Sequence, residues 1–428
     1  MKFFSKIGVI FILVIAFCAF PFSIVAKKAT PSTYDAFGTS ALGPGVPSVT
    51  ANYYKIEKLI STKSEDKQFS MTVSVNGESI PLVLTFPTLG GFRLHTDQKG
   101  YFEPSSLEQI KYTINAGNTT MTAKDGTKVV FNKSASLFYL DVYNKNNKKL
   151  FRLSSDQIDF GYQSSGLKKV PLAKNEVLYG SGERFNELDQ VGKRLVMWNV
   201  DTGYHGNSIN AELWRGYKNV PILYSTRGYT LFFSSYYNAY VDIGYTDANK
   251  YSMDFDGPKF DIYFWTGTPE ENLTSYTGLT GTSLLLPKWA YQYSAGAGSG
   301  VWNTYGGSIY GTAVTAMEKY AELGTPNIAA VYVEGIGSNN ANVYNVFKKT
   351  GTKLLKWNAP DMNLEDMQYS MPGVSIYDLP RAKQLKSPSQ DSGNFIDFTS
   401  SDSKTLLENY LSNEISWGMR GGLLDFGE

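Results

Sequence analysis

Two carboxylates at the end of a short apolar run are the residues here best placed to do chemistry. Residues 420–428 read Arg-Gly-Gly-Leu-Leu-Asp-Phe-Gly-Glu. Two glycines precede Leu423-Leu424, Asp425 follows, and Glu428 lies three residues on. A short, glycine-bounded apolar run is the pattern of a buried parallel strand. In a barrel of parallel strands, a carboxylate at the C-terminal end of a strand faces the active site, where it can act on a bound substrate. The same residues also fit a strand that ends in a solvated turn. The remainder of the chain has to decide between the two.

Other chemistries find less support. Cys18 is the only cysteine, and it falls in an N-terminal segment with the order of a secretory signal peptide. Lys2 and Lys6 start that segment, residues 7–22 are uncharged and mostly apolar, and Ser23-Ile24-Val25-Ala26 ends in a small residue. That arrangement predicts cleavage after residue 26 and a secreted mature chain with no further membrane association. The rival reading is an uncleaved membrane anchor, because the uncharged stretch is nearly long enough to span. A mature chain without cysteine has neither disulfides nor a thiol nucleophile. With two histidines and no His/Cys cluster, no transition-metal site is expected. The glycines are scattered and form no phosphate loop or dinucleotide fingerprint, so no cofactor is expected. Forty basic residues against 39 acidic ones give no field suited to nucleic acid or a membrane surface. Thirty Tyr, 25 Phe and 7 Trp make the chain 14% aromatic, which suits either sugar-stacking surfaces or β-sheet cores.

The elements that must position the carboxylates come in two styles. Residues 29 to about 285 read as β structure. Phe69–Val75 alternates, Asn76-Gly77 turns, and Ile80–Phe86 returns, which predicts a two-residue hairpin. Asp125-Gly126 repeats the signal, Asn144–Asn147 separates another strand pair, and Val220–Ser225, Thr230–Ser235 and Ala239–Ile243 continue the series. Short strands with regular turn signals predict a two-sheet sandwich. Near Leu286-Pro287 the style changes. Apolar runs at Trp289–Ser294, Ile328–Val333, Lys353–Trp357 and Leu423–Asp425 alternate with helical periodicity at Thr312–Leu323, Ala341–Lys349 and Asp402–Trp417, the last capped by Ser400 or Ser401. Alternation of strand and helix calls for parallel pairing. Four such strands are half of the eight that a closed barrel requires.

At this point residues 170–428 resemble glycoside hydrolase family 31, the retaining α-glucosidases, α-xylosidases and related α-transglucosylases. Tyr179-Gly-Ser-Gly-Glu183-Arg184-Phe185 through Arg194-Leu-Val-Met-Trp198-Asn199-Val-Asp201 is similar to the family's sandwich motif, whose loop reaches the active site. Tyr217-Lys-Asn-Val-Pro221 with Ser225-Thr-Arg-Gly228-Tyr229 resembles the next block. Asp261-Ile-Tyr-Phe264 through Leu286-Pro-Lys-Trp289-Ala290 resembles the entry to barrel strand one, and Asp397-Phe398-Thr399 the approach to strand four. The number and order of these motifs favour the catalytic reading of Asp425.

The resemblance implies a galactose-mutarotase-like β-sandwich over residues 27–286. The first half of a (β/α)8 TIM barrel over 287–428 follows it, truncated after strand four. It implies that Asp425 is the nucleophile, in the Asp-Phe-Gly-Glu form of the α-xylosidase-like branches, and that Glu428 supports it. Glu334 falls where the family usually has an Asp that grips the sugar, a departure that bears on specificity. Trp357 resembles the strand-three aromatic of the same subsite, and Arg194, Trp198 and Asp201 belong to the sandwich motif. The small-residue stretch Ser294–Ser299 and Trp302 depart from typical members and look more like the bacterial isomaltosyl- and glucosyltransferases that build cyclic α-glucans. The implied partner is an α-linked glucan or oligosaccharide, cleaved or transferred through a covalent glycosyl-Asp intermediate. The family's acid/base comes from a later barrel strand, so the chain as written is expected to be an N-terminal fragment, inactive alone. A non-catalytic carbohydrate-binding protein and a gene fragment without function are the competing readings.

Overall fold

The structure is a computed structural model. It describes residues 53–297 apart from 97–98, 116, 135–136, 162–163, 185, 198, 200–215, 217 and 258. Beyond 297 it describes residues 322, 330–333, 345, 347–348, 351–358, 384–386, 394–396 and 401–424. Residues 1–26, expected from the sequence to be a signal peptide, lie outside the described residues.

A short strand, β1 (Tyr53–Lys55), precedes a meander of β2 (Lys58–Ser64), β3 (Gln68–Val75), β4 (Glu78–Thr85) and β5 (Phe92–Thr96). The β3–β4 hairpin turns on Asn76 and Gly77 at φ 51° and 80°, with Val75 opposite Glu78. Both residues tolerate positive φ, as a tight hairpin turn demands. A second meander follows, with β6 (Lys111–Asn115), β7 (Asn118–Thr122), β8 (Lys128–Ser134), β9 (Leu137–Tyr143) and β10 (Lys149–Ser154). Then come β11 (Ile158–Gly161), β12 (Ser164–Pro171), β13 (Leu178–Glu183), β14 (Lys193–Met197) and β15 (Lys218–Ser225). The antiparallel part finishes with β16 (Tyr229–Phe233), β17 (Ala239–Ile243), β18 (Lys250–Asp256) and β19 (Asp261–Thr266).

These strands form three antiparallel sheets. The largest runs β13-β15-β16-β19-β5-β4-β3-β2, so β5 and β19 join distant parts of the chain. A six-stranded sheet runs β1-β11-β12-β18-β17-β14, and the second meander is a sheet of its own, β10-β9-β8-β7-β6. All three contribute to one core, to which Met71, Leu94, Phe131, Leu140, Val241 and Phe255 belong. The edge strand β2 is almost wholly exposed and carries Lys58 and Lys63. Charged edges of this kind resist pairing with other chains.

Residues 269–280 correct the all-β expectation for the region before 285, because Pro269–Thr280 is a helix, α1. Its start is written locally. Thr268 caps it by accepting from the Glu271 N–H, the Glu271 carboxylate accepts from the Thr268 N–H, and Pro269 sits in the first turn. That capping box fixes the first turn. The helix explains why every residue of β16 is buried. Leu231 and Phe233 enter the common core, while Phe232 faces a second cluster with Ile222, Tyr263 and Trp265, over which Tyr276 and Leu279 of α1 pack. Asn272 Nδ2 donates to Thr230 Oγ1 at 2.9 Å and anchors the helix to the sheet.

After α1 the pairing changes. β20 (Ser294–Ala297), β21 (Ala330–Val333), β22 (Lys353–Asn358) and β25 (Met419–Leu424) form a four-stranded sheet in that order, and every pair is parallel. A two-stranded ribbon, β23 (Gln384–Lys386) and β24 (Asn394–Ile396), and the helix α2 (Ser401–Trp417) lie between β22 and β25 in the chain. The first parallel strand is Ser294–Ala297 rather than the aromatic run Trp289–Ser294, where Lys288–Tyr291 forms a 3-10 turn. Pro287 starts that turn. The small side chains of Ser294-Ala-Gly-Ala then provide the strand.

Two carboxylates of the sandwich give it an acid limb. Burial alone raises the Asp141 carboxyl, but hydrogen bonds from Arg152 at 2.6 and 2.7 Å and from Lys149 outweigh it and hold the group below its ordinary value. Glu103 behaves in the same way, with burial opposed by Arg93 and the Gly100 N–H. A carboxyl whose pKa is lower in the folded state stabilises the fold above the unfolded value, and that contribution is lost as pH falls through the folded value. The urea midpoint is expected to be flat from about pH 7 to 5 and to drop below about pH 4, with a shallower drop in Asp141→Asn. An Asp141→Asn acid limb superimposing on the parent's would contradict this.

Candidate functional site

The parallel sheet brings the ends of its strands to one edge. Val333 of β21 stands opposite Lys356 of β22, and Trp357 and Asn358 stand opposite Leu423 and Leu424 of β25. β21 ends one residue before Glu334, and β25 ends one residue before Asp425. Glu334, Asp425 and Glu428 themselves lie outside the described residues, as do Trp198, Asp201 and Trp302. Trp357 lies on β22. Beneath it in the sequence, Lys356 Nζ meets Glu414 Oε2 of α2 at 2.8 Å, both groups being buried, and the ammonium lies 5.8 Å from the Tyr410 ring centre. This ion pair locks α2 to the middle strand. Leu355 packs so close to Gly421 that a Cβ there would stand 2.9 Å from its methyl group.

Arg194 sits on β14 opposite Asp242 of β17. Its side chain is buried, donates from Nη2 to Thr246 Oγ1 at 3.1 Å, and lies 4.5 Å from the Tyr245 ring centre. Asp242 meanwhile accepts from the N–H groups of Tyr245 and Thr246. The guanidinium therefore braces the turn after β17. Arg184 connects the other stretches of the motif. It donates from Nε to Ser181 Oγ at 3.1 Å and from Nη2 to Asn219 Oδ1 at 2.6 Å. Asn219 in turn donates to Asn199 Oδ1 from its backbone N–H and its Nδ2, at 2.9 and 2.7 Å. Burial pulls the Arg184 guanidinium down to about 10, still protonated at neutral pH. One arginine thus ties the ends of β13, β14 and β15 together.

A cavity of about 490 Å³ opens beside this network. Asn199, Asn219 and Met197 line one side, and Phe102, Phe232 and Tyr276 another. Tyr236, Tyr237 and Asn238, from the loop between β16 and β17, line it as well. Tyr236 and Tyr237 are 67% and 47% exposed, large values for adjacent aromatics. The Tyr101 ring lies against both, at centroid distances of 4.7 and 6.1 Å. Burial, and then the Tyr237 hydroxyl, push the Tyr101 phenol up to about 12, so it is neutral at physiological pH. Sequence reasoning passed over this loop. The visible signal was Ser-Ser-Tyr-Tyr-Asn, two aromatics in a polar turn between two apolar strands.

Comparison with known proteins finds proteins similar to the sandwich. Residues 53–242 match the model of the glycosyl hydrolase 31 N-terminal galactose mutarotase-like domain. The chain is 26% identical over 211 residues to α-glucosidase 2 of Bacillus thermoamyloliquefaciens and 30% identical over 138 residues to an α-xylosidase of Emericella nidulans. Its fold is like that of the cycloalternan-forming enzyme of Listeria monocytogenes, solved with a pentasaccharide substrate, with a TM-score of 0.69 at 16% identity over 87% of this chain. The matches span 26%, 17% and 40% of those proteins' own lengths, so this chain corresponds to less than half of each. Residues 53–242, which hold most of the strands of the three antiparallel sheets, are thus similar to the galactose mutarotase-like domain that opens glycosyl hydrolase 31 proteins.

Proposed function

We propose that this chain belongs to a retaining α-glycoside hydrolase or transglycosylase acting on α-glucans or α-gluco-oligosaccharides, with Asp425 as the nucleophile. The observation that carries the reading is the order of parts. A family 31 sandwich is followed in the same chain by four parallel strands, and the last of them runs into Asp425. In this proposal residues 27–286 are the sandwich and 287–428 the first half of a (β/α)8 barrel. Strand-end residues of such a sheet face the substrate. Asp425 attacks the anomeric carbon, the glycosidic C–O bond breaks, and the leaving oxygen takes a proton from a second carboxyl group about 5 Å away. Glu428 supports the nucleophile, and Glu334, Trp357 and Trp302 hold the sugar. Trp198 and Asp201 approach from the sandwich loop, with Arg194 in the strand that leads to them. Water or a second sugar hydroxyl then resolves the glycosyl ester. Residues 1–26 direct export, and the mature chain starts at Lys27.

A 5-fluoro-α-glucosyl fluoride tests the assignment. Its ring fluorine slows both formation and breakdown of the ester, and the good leaving group, the anomeric fluoride, speeds formation alone, so the covalent adduct accumulates. Peptide mapping of the labelled enzyme is expected to find the glycosyl mass on the peptide containing Asp425. An adduct on another carboxylate would remove Asp425 from the role.

A further inference from the structure

We propose that the cavity rimmed by Tyr236 and Tyr237 is a binding site for a neutral sugar, taking a glucose unit of an α-gluco-oligosaccharide against the two rings. The geometry stands apart from the chemistry of Asp425, and only the choice of an α-glucan as ligand rests on the function proposed above. The chemistry of the walls selects the ligand class. Among the described residues no lining side chain is charged, which disfavours phosphates, peptide termini and nucleic acid. Exposed aromatic faces combined with the carboxamides of Asn199, Asn219 and Asn238 suit a molecule with C–H groups on its faces and hydroxyls at its edge. Asn219 occupies the carbonyl of Asn199 twice, so Asn199 has its NH2 group to offer a hydroxyl oxygen. The volume falls in the range of small-molecule sites.

The rings are also held in place before any ligand arrives. Phe102 packs edge-on to Tyr236 at 5.3 Å, and its carbonyl accepts from the Tyr263 hydroxyl at 2.8 Å. Glu103, next in the chain, is gripped by the buried Arg93 through two hydrogen bonds of 2.8 and 3.0 Å. On the other side Tyr237 lies against Gly257, where a Cβ would stand 2.7 Å from the ring. Only glycine permits that approach, and its φ of 142° is one that L residues rarely adopt. A folded chain gains little by leaving two adjacent tyrosines in water, and clustered exposed apolar surface marks contact with something else. Fixed rings lose little further entropy on binding, which favours affinity.

The test is calorimetric titration of the chain with isomaltopentaose and maltopentaose, in the parent, Tyr236→Ala, Tyr237→Ala and Tyr236→Phe. Each alanine variant is expected to bind about tenfold more weakly, and the phenylalanine variant to stay within about threefold of the parent. Both tyrosines are largely exposed, so thermal midpoints should move by only a few degrees, and binding is measured well below them. Alanine variants that bind like the parent overturn the proposal, as does a parent that binds neither sugar up to about 10 mM. Repeating the titration in Asp425→Ala separates the two ideas. Binding that depends on Tyr236 and survives Asp425→Ala supports this site even if glycosyl labelling of Asp425 fails. Binding lost with Asp425→Ala but indifferent to the tyrosines refutes it and leaves the catalytic proposal standing.

Discussion

Under the proposed mechanism, Asp425→Asn is expected to lower kcat/KM on an α-glucoside by roughly four powers of ten, about 5 kcal/mol of transition-state stabilisation. The amide is nearly isosteric with the carboxylate but cannot form the glycosyl ester, so the two-step displacement has no first step. In the sequence the residue follows Leu424, the last residue of β25, and the unfolding free energy should shift by no more than about 0.5 kcal/mol. A destabilised strand could also reduce activity, so the loss needs a positive counterpart. In Asp425→Gly the missing carboxylate leaves space for a small anion. Azide added with an α-glucosyl fluoride should attack the anomeric carbon directly and expel fluoride, giving a β-glucosyl azide. Restored turnover with inverted configuration identifies the lost group as a nucleophile, which a merely structural role would not produce. An Asp425→Asn enzyme with more than about a tenth of parental activity would end the assignment.

What could be read from the sequence was whatever the chain encodes locally. The Asn76-Gly77 hairpin follows from two residues that accept positive φ. Lys353–Asn358 and Ser401–Trp417 lie almost where their apolar run and helical periodicity placed them. Ser294–Ala297 escaped because small residues carry no strong strand signal, and the nearby aromatic run carries a misleading one. The α1 helix escaped because its capping box sits inside a region read as uniformly β, although Thr268-Pro-Glu-Glu spells it out. The cavity was not legible at all. Phe102 meets Asn199, Asn219, Tyr236 and Tyr276 through the insertion of β5 beside β19, a pairing between residues far apart in the chain that no local pattern specifies. Of the residues the sequence nominated for the site, Arg194 is the one whose side chain the structure describes, and its contacts are with the turn at Asp242–Thr246.

The same long-range joint sets the second large expectation, which concerns stability. Arg93 of β5 is buried and donates from Nε and Nη2 to both oxygens of Asp261 on β19, at 2.7 and 2.8 Å. It also grips Glu103 and lies 5.2 Å from the Tyr263 ring centre. Burial alone pulls the guanidinium down, but the hydrogen bonds it donates to Asp261 and Glu103 outweigh it and hold it above its ordinary value. Arg93→Met keeps much of the apolar volume but leaves Asp261 in the interior without that partner. Removing one member of a buried pair costs about 3–5 kcal/mol, because the remaining charge is no longer compensated. The urea midpoint should fall accordingly. The loop through Tyr101 and Phe102 loses its clamp, so oligosaccharide affinity should weaken even at temperatures where the variant is folded. The double variant Arg93→Met/Asp261→Leu removes both charges and should recover most of the lost stability, since a buried ion pair is often no better than apolar packing of similar volume. It should not recover the affinity, because Glu103 still lacks its anchor. A double variant as unstable as the single would show that the cost lies in packing rather than in a stranded charge. Restored affinity in the double variant would show that the clamp does not hold the aromatic loop.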